Sequence, residues 1–144
     1  NSGWLPALVF VTMIWGAFVS GLDGGAVFNT FPLMDGRLVP PAALSMSPVW
    51  LNLFENIGFV QWLHRILAIA TVAAILWFWW RDRQSGSAAL NLLAVFAVCQ
   101  FALGIATILS GASLYIAWAH QGGAMVLFSA AIWRWQETRS QTRA

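Results

Sequence analysis

Four long apolar runs, at residues 5–22, 57–80, 88–109 and 114–135, leave this chain very few folds. Each is about long enough to cross a hydrocarbon core of ~30 Å at ~1.5 Å of helical rise per residue. At that depth no water is present to satisfy backbone amides, so each run must close its own hydrogen bonds as a helix. Composition points the same way. Of 144 residues, 60% are hydrophobic and 8% are charged, whereas about a quarter of an ordinary soluble domain is charged. The expected fold is therefore all-α: a polytopic membrane protein, one four-transmembrane-helix bundle over residues 1–144. A formal charge of +2, dispersed arginines and the lack of any lysine argue against nucleic acid as a partner.

The connections are unequal. Residues 23–55 hold Pro32, Pro40, Pro41 and Pro48, Arg37, and three of the five acidic residues, Asp23, Asp35 and Glu55. They also carry Phe28, Phe31, Trp50 and Phe54. A loop this long is uncommon unless it has work to do. Its aromatic residues suggest that it folds against the membrane face or lids a pocket; a passive interfacial loop is the plain alternative. By contrast, RDRQSGS (81–87) and SGAS (110–113) are short turns, and WFWW (77–80) reads as an aromatic interface belt. Arg81, Arg83, Arg134, Arg139 and Arg143 fall on one side, and Arg37 lies in a loop on the other. The positive-inside rule then puts both termini in the cytoplasm or mitochondrial matrix, with the long loop outside. The first run lacks a basic leader and an evident cleavage site, so a signal peptide is not expected. A chain starting at Asn1 rather than Met is expected to be processed or to be a piece of something longer. Cys99, the single cysteine, reads as a small buried apolar residue.

Two histidines interrupt this apolar background: His64 in QWLHR (61–65) and His120 in AHQGG (119–123). Ionisable groups at membrane depth are costly and are functional suspects by default. The second and fourth runs point the same way through the membrane. His64 lies six residues after Gly58 and His120 six after Leu114, so each sits ~9 Å into its helix. Two imidazoles at matched depth, facing across a bundle core, would ligate one iron. At helical spacing from His64 stand Gln61, Ala68 and Thr71; from His120 stand Ser113, Ala117, Gly123, Ala124 and Ala131. Small residues leave room for a flat ring, although they also serve close helix packing. A zinc site needs three or four protein ligands. Haem supplies four nitrogens and asks only for axial ones. His64 and His120 are thus the candidate metal and cofactor ligands. Arg65 is a third cofactor-binding candidate, through a haem propionate, or else the partner of Glu55 or Asp23 in a salt bridge. Glu55 reads equally as an acid at a helix mouth. Gln100 and Gln121 are hydrogen-bonding candidates within the bundle. A faint repeat relates GAFVSGL (16–22) to GIATILSG (104–111), each followed by a histidine-bearing run.

GAFVSGLDGGAVFNTFPLMDGRLVP (16–40), NLFENIGFVQWLHR (52–65), LGIATIL (103–109) and AHQGGAMVLFSAAIW (119–133) together resemble the haem A synthase family, specifically the C-terminal half of its eight-helix members. The resemblance covers nearly the whole chain. It implies oxidation of a haem O ring methyl to a formyl group, giving haem A for haem–copper oxidases. It also implies two similar four-helix bundles, each with a histidine pair. The N-terminal pair, with a nearby glutamate, goes with the substrate haem and catalysis. The C-terminal pair, matched by His64 and His120, ligates a haem b that relays electrons. The N-terminal bundle has no counterpart in this sequence, and residues 23–55 lack the cysteine pair of some members. No catalytic residue is therefore expected in this half. The implied partners are membrane lipid, a missing N-terminal four-helix half or a second copy, haem O as substrate of the complete enzyme, and an unidentified electron donor. The implied location is the bacterial inner membrane, or the mitochondrial inner membrane in a eukaryote. Two alternatives remain: a stand-alone b-type membrane cytochrome, and a non-haem assembly or structural protein whose histidines merely pack.

Overall fold

A computed structural model describes residues 3–141. It is all-helical, with four long helices: α1 (Leu5–Gly21), α2 (Ile57–Asp82), α3 (Ala88–Leu109) and α4 (Leu114–Gln141). Short 3-10 turns occupy Gly24–Ala26, Val49–Leu53 and Arg83–Ser85. Local chemistry sets several ends. Pro6 sits in the first turn of α1, where its missing N–H goes unnoticed. The Asn56 side chain caps α2 by accepting from the Phe59 amide at 3.0 Å, and Ser87 caps α3 by accepting from Leu90 at 3.1 Å. The apolar runs match α1 to α3 within two residues. Helix α4 goes six residues past the end of its run, to Gln141. Polar groups carry that extension: Arg134 pairs with Glu137 at 3.3 Å, and Arg139 stacks over the Trp135 ring at 5.1 Å.

Two segments, Ile57–Ser85 and Ala88–Leu109, are long and apolar enough to cross a membrane, with mean hydropathies of 1.7 and 2.4. Helix α1 is apolar but only 17 residues long.

Helix α1 packs on α2 and α4, and α3 packs on α2 and α4, so α2 and α4 stand on a diagonal. The fully buried apolar core gathers at one end. It comprises Leu5 and Val9 of α1, Ile75 and Phe78 of α2, Leu93, Ala94 and Ala97 of α3, and Leu127, Ala130 and Ala131 of α4. Alanines there let the backbones approach closely. A polar clasp closes this end. Arg134, 5% exposed, reaches Asp82 at 3.7 Å as well as Glu137, and the Ser87 hydroxyl donates to Glu137 at 2.6 Å. The clasp ties together the ends of α2, α3 and α4. Arg81, Arg83 and Arg139 follow the same helix ends; Arg143 lies outside the described residues.

Two expectations need correcting. WFWW is not simply a belt: four consecutive helical residues point to all sides. Trp77 and Trp80 face outward, but Phe78 is core, edge-on to Trp4, and Trp79 donates to Asn91 at 2.9 Å. Cys99 is exposed, because the buried stripe of α3 passes through Leu93, Ala94 and Ala97 instead.

At the other end the packing thins. Residues 101–108 of α3 and 114–124 of α4 contribute no fully buried side chain. Helix α2 is buried there by the long loop, which folds back over its first half. Asn52, fully buried, organises that loop. Its amide nitrogen donates to the carbonyls of Met46 at 3.2 Å and Val49 at 2.8 Å, and its oxygen accepts from the Met46 amide and from Asn56. A tight turn reverses the chain at Asp35 and Gly36, both at positive φ, where Met34 and Arg37 exchange backbone hydrogen bonds at 2.8 and 3.1 Å.

Candidate functional site

The loosely packed end contains both histidines, at equivalent places. His64 is the eighth residue of α2 and His120 the seventh of α4, so their depths differ by about one residue's rise, ~1.5 Å. Each ring brings its Cε1 up against a glycine of the preceding helix. A Cβ on Gly16 would sit 3.0 Å from His64 Cε1; one on Gly104 would sit 3.1 Å from His120 Cε1. Any other residue there would push into the imidazole. The two rings stand on diagonal helices.

The faint repeat thus has a physical basis: the glycine that opens each copy is a seat for a histidine. The correspondence extends one turn back. Thr12 and Gln100 each lie four residues before the seat glycine, and each meets the histidine's Nδ1. For His64 the partner is the Thr12 carbonyl, at 3.1 Å. A carbonyl only accepts, so Nδ1 carries the hydrogen and Nε2 keeps a free lone pair. For His120 the partner is Gln100 Nε2, also at 3.1 Å, which donates at 2.6 Å to the His120 carbonyl as well. An amide nitrogen only donates, so here Nδ1 accepts. The seats are alike in shape and opposite in hydrogen bonding.

Arg65 and Gln61 do something else. They lie one turn apart on α2 and clamp the loop. Arg65 donates to the carbonyls of Thr30 at 2.8 Å and Phe28 at 2.9 Å, and Gln61 donates to Phe28 at 3.2 Å. Among the described residues the Arg65 partners are carbonyls, not Glu55 or Asp23. Arg65 Nε and Gln61 Oε1 are buried without a partner. Glu55 is exposed, immediately before the Asn56 cap, as an acid at a helix mouth should be. It borders an open hollow of about 360 Å³, along with Phe28, Met46 and Gly58; neither histidine lines it. Gln121 reaches Ser20 of α1 at 3.4 Å, and the Thr12 and Thr71 hydroxyls meet at 2.8 Å across α1 and α2. Among the described residues, no three His, Cys, Asp or Glu side chains come together as a metal site.

Sequence reasoning found both histidines, Gln100 and the repeat, but missed the seats. The available signal was a glycine at the same position of both repeat copies, with a polar residue one helical turn before it.

The molecule is an all-helical protein with two long apolar helices and a symmetric pair of histidine seats. It belongs to the COX15-CtaA family of cytochrome oxidase assembly proteins, whose family model matches residues 2–132. The heme A synthase of Rhodospirillum centenum is 47% identical over 134 residues, covering 88% of this chain and 35% of the relative. That of Nitrosomonas eutropha is 43% identical, covering 90% and 38%. The human heme A synthase COX15 is 43% identical over 138 residues, covering 92% and 33%. The chain therefore spans a third to two fifths of the length of these relatives. No solved structure matches it.

Proposed function

We propose that this chain acts in haem A biosynthesis as the haem b-binding bundle of a haem A synthase. In this reading His64 and His120 would hold the haem, which would supply electrons to a second, substrate-bearing half where the haem O methyl is oxidised to a formyl group. The observation that carries it is the paired seat: two imidazoles at matched depth on diagonal helices, each with its Cε1 against a glycine. Three further features fit a haem. The ring end of the bundle is the end without a packed core. His64 already holds its hydrogen on Nδ1, leaving Nε2 able to ligate. The donor set is two imidazoles without carboxylate or thiolate, too few for zinc and sufficient for a macrocycle. Bound there, haem would supply a one-electron carrier whose iron is saturated by its two ligands. The protein's own part is to hold both rings at one depth, fix their tilt and exclude water.

Arg65 is bound to loop carbonyls, yet its unpartnered Nε leaves a donor for a propionate. The proposed setting is the bacterial inner or mitochondrial inner membrane, with all four helices spanning it. The arginine-rich helix ends would face the cytoplasm or matrix and the long loop the outer compartment.

The test is a reduced-minus-oxidised spectrum of purified full-length protein and of His64→Ala and His120→Ala. Each substitution is expected to abolish the bis-histidine signal of this site. A normal signal in both variants would end the ligand assignment. Supplying haem O and a reductant then distinguishes the synthase from a carrier cytochrome, since only the synthase yields the formyl product.

A further inference from the structure

The two histidines are not equally ready to bind iron, and the reason is Gln100. A neutral imidazole ligates through its unprotonated nitrogen, and the other nitrogen must carry a hydrogen and find an acceptor for it. His64 meets this condition through the Thr12 carbonyl. At His120 the group facing Nδ1 is a donor, Gln100 Nε2, which puts the imidazole hydrogen on Nε2, the only nitrogen left to ligate. The acceptor that His120 needs is on the same amide. Gln100 Oε1 is buried with no hydrogen-bond partner, tucked into the space above Gly123 that the missing side chain leaves open.

We propose that Gln100 is the positioning residue for the second axial ligand of a haem iron. Its amide turns over when iron binds His120, so that Oε1 takes the place of Nε2 at His120 Nδ1. This rests on the haem-ligand reading above. No proton is gained or lost, because the imidazole hydrogen moves from Nε2 to Nδ1 and the ring stays neutral. The orphaned Oε1 acquires a donor. Nε2 gives up its bond to the His120 carbonyl and turns toward Gly123, while that carbonyl keeps its helical partner, the amide four residues on. The Gln100 amide also shifts away from the carbonyl, because an oxygen cannot stay at the 2.6 Å that Nε2 occupies. Gly123 makes room, since a side chain there would occupy the place of the amide. The iron site is therefore asymmetric: one ligand is held by a backbone carbonyl that cannot be exchanged, the other by a side chain that must turn.

Redox titration and haem-retention measurements on the full-length protein carrying Gln100→Glu or Gln100→Leu test this. A carboxylate accepts more strongly than an amide oxygen and makes the ligand more basic, so Gln100→Glu is expected to keep the bis-histidine spectrum and shift the midpoint potential of this haem negative. Gln100→Leu offers no acceptor and is expected to shift it positive and weaken haem retention about ten- to hundredfold. The relevant haem is identified as the component lost in His120→Ala. Wild-type potentials and retention in both variants would overturn the inference while leaving the haem reading intact. If Gln100→Leu fails to fold, an unmoved potential in Gln100→Glu alone overturns it. A wild-type protein with no bis-histidine haem would remove the underlying reading itself.

Discussion

The α1–α2 and α3–α4 hairpins solve one problem with two kinds of part. Both hold a histidine against a glycine, and both give its Nδ1 a partner one turn before that glycine. In the first hairpin the partner is main chain, at a long connection. In the second it is a side chain, in a hairpin closed by a four-residue turn. Main-chain partners survive most substitutions, whereas side-chain partners can be tuned or lost. The first hairpin also carries the loop clamp of Gln61 and Arg65 on the helix that bears its histidine. Its ring is thus set in a region already fixed from outside. Among the described residues the second hairpin has no comparable clamp; Phe31 of the loop meets the Phe101 ring edge-on, and residues 114–124 stay partly open.

The sharpest way to break the likeness is at the seats. Gly16→Val and Gly104→Val each put a branched side chain where even a Cβ would lie 3.0 or 3.1 Å from Cε1 of the facing ring. Overpacking of this kind costs about 1–3 kcal/mol, and here the ring is what must move. Both variants are expected to lose the bis-histidine spectrum while staying helical by circular dichroism. Loss in one and a normal spectrum in the other would show that the seats are not equivalent.

Much of this was legible in the residues, and the parts that were not share a cause. Helix positions followed from hydropathy, because long apolar runs broken by short polar turns leave the chain few other folds. The histidines stood out because polar groups are scarce in such runs. A glycine inside an apolar helix does not reveal which ring it faces, so nothing in the residues marks Gly16 and Gly104 as histidine seats. Phe78 and Trp79 were misplaced because an aromatic run has no polar–apolar contrast from which to read direction. The partners of Arg65 were hidden because they are carbonyls, which every residue has. The Asn52 hub that shapes the loop was hidden for the same reason.

The next contrast is the clamp. Arg65→Met removes two short charge-assisted hydrogen bonds to the loop, at 2.8 and 2.9 Å, and a longer one to the Leu33 carbonyl at 3.5 Å. Bonds to charged groups contribute about 1.5–3 kcal/mol each. The expected result is faster protease cleavage within residues 23–55 and faster amide exchange at 28–33, with the α3–α4 hairpin unchanged. Equal loosening of both hairpins would mean that Arg65 supports the whole bundle and not one half.

The smallest effect probes the opposite hydrogen bonding directly. Thr12→Val deletes a hydroxyl that meets Thr71 at 2.8 Å and the Leu8 carbonyl at 2.9 Å, but leaves the Thr12 carbonyl on His64. Thr71 can turn its hydroxyl to its own helix one turn back, as Thr107 does on Leu103, so the cost should be that of one net hydrogen bond, about 0.5–1.5 kcal/mol. Thermal melting should register this, while the midpoint potential should stay at the wild-type value because the group that holds His64 is unchanged. Gln100→Leu removes the residue at the matching position of the other hairpin, and there the potential is expected to move. If Thr12→Val shifts the potential as far as Gln100→Leu does, the Thr12 side chain is helping to hold its ring, and the division between a main-chain-held and a side-chain-held histidine collapses.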